Sequence, residues 1–303
     1  MRTLVRTARP GDSAVYPFTL NFNGDCARFP FIFEGSPVTS IGGDPAPSCL
    51  ISARSAGDMA FRFPEPNEVR ERFFRSHGIP PERVYSLVQV HSRDVFVVGD
   101  PENPGKFNNA QDSFGIRGSL PSPSAFARQG DGMVSFVPEA VLAVTVGDCL
   151  PVFLLDTERG FLAALHSGWK GTGIVVKALE IMRQAGTRPE AAAAVLGPCI
   201  QSCCYRVDEE RAAQFEAEFG DASLHVRDSG GEYPLGRVSR QDGSNWYIAL
   251  QAANARLLAA NGVRHIAYCT DCTFTDDRLG SFRREGPQSY TRMIAMTGLG
   301  LTA

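Results

Sequence analysis

The sequence predicts an α+β fold built around a mixed sheet in one domain. Two observations carry this. Strand-length apolar runs and stretches with helical spacing are interspersed without regular βαβ alternation. No repeat of about 20–50 residues and no clear linker divides the chain. A length of 303 residues suffices for one large core or two small ones. With 43% apolar and 21% charged residues, the composition is that of an ordinary globular protein. A formal charge of −3 gives no electrostatic case for nucleic acid or an anionic membrane surface. No run approaches a membrane span, and the basic start Met1-Arg-Thr-Leu-Val-Arg lacks the apolar core of a signal peptide. A cytoplasmic protein is expected, and its eight cysteines then read as thiols, most of them small core residues.

Residues 1–48 read as an N-terminal extension packed on the domain proper, 49–303; Phe18-Thr-Leu-Asn-Phe and Phe29-Pro-Phe-Ile-Phe in it suggest strands. Glu68 to Gly78, with its acidic start and glycine stop, fits a short helix, and Arg70 falls in its first turns. Val84 to His91 reads as a strand ending on a histidine, with a second strand over Asp94 to Val98. The Gly-, Pro- and Asn-rich stretch 99–130 is too long for a simple connection and suggests a lid or flap. A glycine-rich turn at Ser167 to Gly173 carries Lys170 and feeds a helix from Ile174 to Ala185, a place where backbone N–H groups can meet an anion. A strand follows at Ala191 to Gly197, then a helix capped by Asp208, a polar loop at 220–244, a helix from Trp246 to Asn261 and a strand from Val263 to Cys269. Ser281-Phe-Arg-Arg-Glu-Gly286 holds adjacent arginines, Arg284 among them, and Arg292 precedes the apolar strand Met293 to Met296. Clustered arginines suit an oxyanion or phosphate.

The chemistry gathers at Thr145-Val-Gly-Asp-Cys149 and His166. Val152–Leu155 and Phe161–Leu165 have strand length, and Asp156-Thr-Glu-Arg159 between them has the size of a hairpin turn. A four-residue turn sets Leu155 against Gly160 and, by the same register, Cys149 against His166. With His91 these give two imidazoles and one thiolate. Three protein ligands and an open position are the usual form of a catalytic zinc site, and zinc brings the pKa of bound water towards neutrality. The same donors suit copper. A metal-free reading has Cys149 as nucleophile, His166 as base and Asp148 or another polar group orienting the histidine. A second set, Cys199, Cys203, Cys204, Cys269 and Cys272, is open to two readings: buried thiols, or a further metal or redox site with the spacing of Cys269-Thr-Asp-Cys272.

Several stretches together resemble the YfiH/laccase-domain family, whose members carry the labels multicopper polyphenol oxidase, purine nucleoside phosphorylase and peptidoglycan editing factor. They are Gln89-Val-His91, Asp131-Gly, Thr145-Val-Gly-Asp-Cys149-Leu-Pro, His166-Ser-Gly-Trp-Lys-Gly, Gly197-Pro-Cys-Ile, Cys269-Thr, Phe282-Arg-Arg and Thr291-Arg292. They run in family order over about residues 50–298. The resemblance implies an α/β/β/α-layered fold related to toxins with a cysteine–histidine site, and a metal held by His91, Cys149 and His166. It implies zinc-dependent action on purine nucleosides: phosphorolysis of adenosine, inosine, guanosine and methylthioadenosine, and deamination of adenosine. Phosphate would then meet Arg70, Lys170, Arg284 and Arg292, and Asp148 would shuttle a proton. Lys170 stands where the family usually has arginine, which keeps the charge but loses the bidentate fork. The alternatives are a copper-dependent polyphenol oxidase and a cysteine amidase acting on a peptidoglycan precursor. Oligomeric state is open at this level.

Overall fold

A strand that is apolar at nearly every position must be covered on both faces. Val141–Val146, Leu150–Asp156, Ala192–Leu196 and Met293–Gly298 are such strands, and nearly every residue in them is buried. The computed structural model, which describes residues 13–61, 67–100, 128–220, 224–225, 246–299 and 301, meets this demand by stacking two sheets between helices. The larger sheet runs in the order Ala14–Phe18, His265–Cys269, Ala192–Leu196, Leu150–Asp156, Leu162–Ser167, Gly132–Ser135, Val95–Val98. Its central pairs are antiparallel and its outer pairs parallel. The smaller runs Phe22–Asn23, Cys26–Pro30, Ser48–Ser52, Met293–Gly298, Val141–Val146, Val84–Tyr85, antiparallel except for the last pair. The mixed sheet read from the element pattern is two mixed sheets, the α/β/β/α layering that the family resemblance implies, in one α+β fold.

Side-chain alternation along the strands divides the apolar residues among three interfaces. Phe153, Leu155, Leu162 and Ala164 point from the larger sheet towards Leu142, Val144, Met293 and Ala295 of the smaller. Their neighbours Val152, Leu154, Ala163 and Leu165 point the other way and pack against Val175, Leu179 and Met182 of the helix Ile174–Gln184. On the far side, Ile294, Met296 and Val141 cover Phe73 and Phe74 of the helix Glu68–Ser76. The layers are helix, sheet, sheet, helix. The first residues take part in them directly: Ala14–Phe18 forms the edge of the larger sheet, and Cys26–Pro30 pairs with Ser48–Ser52 inside the smaller.

Three local expectations differ from the structure, each for an identifiable reason. Leu155 faces Leu162 rather than Gly160, because Asp156 caps the turn by accepting the N–H groups of Glu158 and Arg159, with Gly160 at φ +74°. The pairing is displaced by two residues, an even number, so every side chain keeps its face. The strand starting at Val84 stops at Tyr85. Beyond it the side chain of Gln89 does the pairing, accepting from the Thr145 N–H at 2.7 Å and donating to the Thr145 carbonyl at 2.8 Å. Trp246–Ile248 is a strand against Arg206–Val207, and the helix begins after it, at Leu250. The stretch read as a flap lies outside the described residues over 101–127, as does the loop after the Glu209–Phe219 helix over 221–223 and 226–245. Among the described residues no helix is long and apolar enough to cross a membrane.

Phe153 is wholly buried between the sheets. Phe153→Ala is expected to cost about 3–5 kcal/mol of unfolding free energy, read from urea unfolding curves. A loss below 1 kcal/mol (about one methylene's worth) would argue against a packed sheet–sheet interface.

Candidate metal centre

Asp131 lies just before the strand Gly132–Ser135 and is fully buried. Its carboxylate accepts the N–H groups of Val90, His91 and Ser92 at 3.1, 3.0 and 2.6 Å and the Ser92 hydroxyl at 3.0 Å. It also meets Nδ1 of His166 at 2.8 Å. Burial opposes the charge, but the His166 hydrogen bond and attraction, with the Ser92 contacts, outweigh it and hold the carboxyl below its ordinary range. One carboxylate thus fixes both histidines. His91 is held at φ +59°, a left-handed conformation that a non-glycine residue keeps only under such constraint. With its Nδ1–H donated to Asp131, His166 presents Nε2 as the lone-pair nitrogen, the arrangement that orients metal-binding histidines.

Cys149 completes the set. Its Sγ is 3.8 Å from His91 Nε2, and the two imidazole rings meet edge to face at 4.9 Å between centroids. One donor atom from each of His91, Cys149 and His166 lies within 4.8 Å of the other two. Zinc bonds of about 2.0–2.3 Å bring tetrahedral donors to roughly 3.3–3.8 Å of one another, so the three residues fit a metal with small side-chain movement. Asp148, at φ +101°, aims the cysteine. Its carboxylate accepts from the Thr273 hydroxyl at 2.6 Å and the Arg283 N–H at 2.7 Å. Gly168 stands beside the sulfur, where a Cβ would come within 2.9 Å of Sγ and 3.2 Å of the His91 ring. Burial alone would push the Cys149 thiol up, yet the imidazoles of His166 and His91 bring it down to about 6. Burial alone would lower His166, which the Cys149 sulfur and the Asp131 carboxylate raise to about 9. Without metal the pair favours thiolate and imidazolium.

These groups lie in the wall of a cavity of about 430 Å³, within the span of about 300–1,000 Å³ common for small-molecule sites. Three arginine–aromatic pairs line it. Arg211 lies over Trp169 at 4.7 Å, Arg283 over Tyr205 at 5.2 Å and Arg292 over Tyr290 at 4.3 Å. Arg292 is also paired with Asp58 at 3.3 Å.

The profile of the family described as multi-copper polyphenol oxidoreductase laccase matches residues 65–300. The chain belongs to this laccase-like YfiH family. It is 37% identical over 173 residues to a Deinococcus radiodurans protein named purine nucleoside phosphorylase, a match covering 56% of this chain and 62% of that one, somewhat under two thirds of the relative's length. A Mycobacterium tuberculosis protein of the same name is 31% identical over 220 residues, 72% of this chain and 74% of that one. The crystal structure of the hypothetical protein YfiH of Bacillus licheniformis has the same fold, with a TM-score of 0.63 at 21% identity over 84% of this chain and 92% of that one.

In this YfiH-family chain the residues nominated from sequence part company. His91, Cys149 and His166 come together, with Asp148 and Arg292 beside them on the cavity wall. Arg284 does not face the cavity. Its guanidinium donates to the carbonyls of Thr273, Phe274, Asp276 and Leu279 and pairs with Glu285. Arg70 stands behind the wall, donating to the Ala60 carbonyl at 2.8 Å and lying 4.0 Å above the Phe61 ring. Lys170 is exposed, its Nζ 5.5 Å from the ring of Trp169. Sequence reasoning assigned no role to Asp131, Gly168, Arg211 or Arg283. The Asp131-Gly motif was the available signal for the first. Nothing local distinguishes Arg283 from Arg284, which occupy successive positions of a one-turn helix, Phe282–Glu285.

Asp131→Asn is expected to weaken metal binding about 10–100-fold, measured by competition with a chromogenic chelator. Unchanged affinity would remove Asp131 from the site. In metal-free protein the thiolate of Cys149 is the reactive form, so its alkylation rate rises with pH around a midpoint near 6 and is suppressed below it. Mass spectrometry of the Cys149 peptide after iodoacetamide pulses reads this, and a midpoint at the ordinary thiol value of 9.0 is the contrary result.

Proposed function

We propose that this chain is a zinc-dependent purine nucleoside phosphorylase, with His91, Cys149 and His166 holding the metal. One observation carries the reading: the three donors share a cavity wall with the arginine–aromatic pairs. The names of the relatives supply the substrate class. Aromatic faces suit a purine, and arginine forks suit phosphate. Bound zinc would supply Lewis-acid polarisation of an oxygen at its open position. Asp131 holds the His166 proton at Nδ1 and keeps Nε2 turned towards the donors. Arg283, Arg211 and Arg292 orient phosphate towards the anomeric carbon of the ribose, and the surrounding rings limit water. Arg70 and Arg284 brace the wall and the loop behind it, and exposed Lys170 adds charge at the surface. Asp148, with both carboxylate oxygens engaged by Thr273 and Arg283, aims Cys149 and the Arg283 turn. All eight cysteines are free thiols, which suits a reducing compartment such as the cytoplasm.

One observation favours a second reading. Cys149, His166 and Asp131 also have the order of a nucleophile, a base and its orienting carboxylate, so a metal-free cysteine amidase would use the same three groups. A copper-dependent phenol oxidase is less well supported. The remaining candidate metal groups among the described residues are Cys203, Cys204 and Cys272, and Asp25, Cys26 and His77, neither a multi-histidine copper array.

Adenosine turnover in phosphate buffer, with metal content by mass spectrometry, tests the proposal. The expected products are adenine and ribose 1-phosphate; inosine would instead report deamination by the same centre. Chelation and Cys149→Ala should both abolish turnover, and Arg283→Ala should raise KM for phosphate at least about 10-fold with metal retained, the loss of roughly one charge-assisted hydrogen bond. Full adenosine turnover in chelated protein would overturn the metal reading; no adenosine turnover, with amide hydrolysis that survives chelation and is lost in Cys149→Ser, would favour the amidase.

A further inference from the structure

A second group of metal-ligating side chains lies where the loop following Ala192–Leu196 meets the loop following His265–Cys269. The two loops are joined by an isolated parallel backbone β-bridge at Cys199 and Cys272 and by the Thr273 N–H, which donates to the Cys199 carbonyl at 3.1 Å. This junction gathers the sulfurs of Cys203, Cys204 and Cys272 within 4.8 Å of one another. Adjacent residues usually direct their side chains apart. Here the Gln201–Tyr205 turn, closed by the N–H groups of Cys204 and Tyr205 on the Gln201 carbonyl, brings the sulfurs of Cys203 and Cys204 to 3.3 Å.

Three further features suit a cation at this triangle. The Gln201 N–H points at Cys272 Sγ at 3.3 Å, a contact that stabilises negative charge on sulfur. An opening of about 600 Å³ reaches Cys203 and Cys272, giving an entry path from solvent. Asp271, Asp276 and Asp277 line that opening and, among the described residues, no lysine or arginine does, although Arg278 binds Asp276 from outside it. A field of this sign concentrates cations. One sulfur separation is 3.3 Å and the others are within 4.8 Å, a spacing compatible with the roughly 3.8 Å edge of a tetrahedron with zinc–sulfur bonds of about 2.3 Å.

We propose that Cys203, Cys204 and Cys272 form a three-thiolate site for one divalent d10 cation of the zinc type, distinct from the centre at His91, Cys149 and His166. Binding replaces the thiol protons, which pass to solvent, and leaves a fourth position facing the acidic opening. No electron transfer is involved. The site ties together two loops that also serve the cavity, since Ile200 and Tyr205 line it and Thr273 holds Asp148.

Cadmium is a suitable probe, because each bound thiolate adds to an ultraviolet sulfur-to-cadmium charge-transfer band. Reduced, metal-stripped full-length protein carrying Cys149→Ala is titrated with Cd²⁺, which removes the thiolate of the first centre from the signal. The expected result is a band of about three thiolates saturating at about one cadmium per chain. Adding Cys203→Ser or Cys204→Ser, both at partly exposed positions, should each remove about one third of it and weaken binding at least about 10-fold. Near-ultraviolet circular dichroism of the metal-free variants verifies the fold, and these two variants decide the matter even where Cys272→Ser does not fold. A missing band in Cys149→Ala, or a band unchanged by both serine variants, overturns the proposal. Because the first centre is disabled throughout, failure here is separable from failure of the phosphorylase reading.

Discussion

The site depends on the burial of one carboxylate. Taking Asp131 out of water is unfavourable unless its oxygens are bonded, and here three backbone N–H groups, a hydroxyl and an imidazole bond them. The compensation forces geometry on its donors. The chain must coil around the carboxylate, which turns His91 into the left-handed region, and the imidazole of His166 must present Nδ1 inwards. Neither histidine would be a competent ligand from its own strand alone.

Around that carboxylate the two sheets contribute in different ways. The larger supplies His166 from Leu162–Ser167 and Asp131 from the approach to Gly132–Ser135. Cys149 lies between Val141–Val146 of the smaller sheet and Leu150–Asp156 of the larger, at the crossing from one layer to the other. This crossing is where Asp148 takes its positive φ and where Thr273 and the Arg283 turn anchor it. The metal donors therefore gather at a seam between layers, a usual position for a ligand cavity.

Much of this was legible in the sequence, and the illegible part has physical reasons. His91, Cys149 and His166 could be nominated from residue type and hairpin logic, although the register behind the argument was displaced by two. The three side chains still come together because side-chain direction depends on parity, which an even displacement preserves. The helix Glu68–Ser76 was readable because Asn67 and Gly78 mark its ends. The doubling of the sheet was not legible in the apolar pattern, since a run buried on two faces looks the same in one sheet or two; only the family motifs implied it. Arg283 and Asp131 were missed because their roles depend on partners more than a hundred residues away in one case and about forty in the other. Trp246–Ile248 was read as helix because its apolar spacing continues into the true helix that follows.

The order of strands in the smaller sheet bears on how the chain is made. Met293–Gly298 lies between Ser48–Ser52 and Val141–Val146, so a strand made late separates two made earlier. Ala14–Phe18, at the other end, waits for His265–Cys269. Pairings this distant are slow to form and leave apolar edges open during synthesis. On the ribosome neither sheet can reach its final pairing until most of the chain has emerged. The same arrangement is a check on completeness: a nascent chain released before residue 293 would lack the strand at the middle of a sheet.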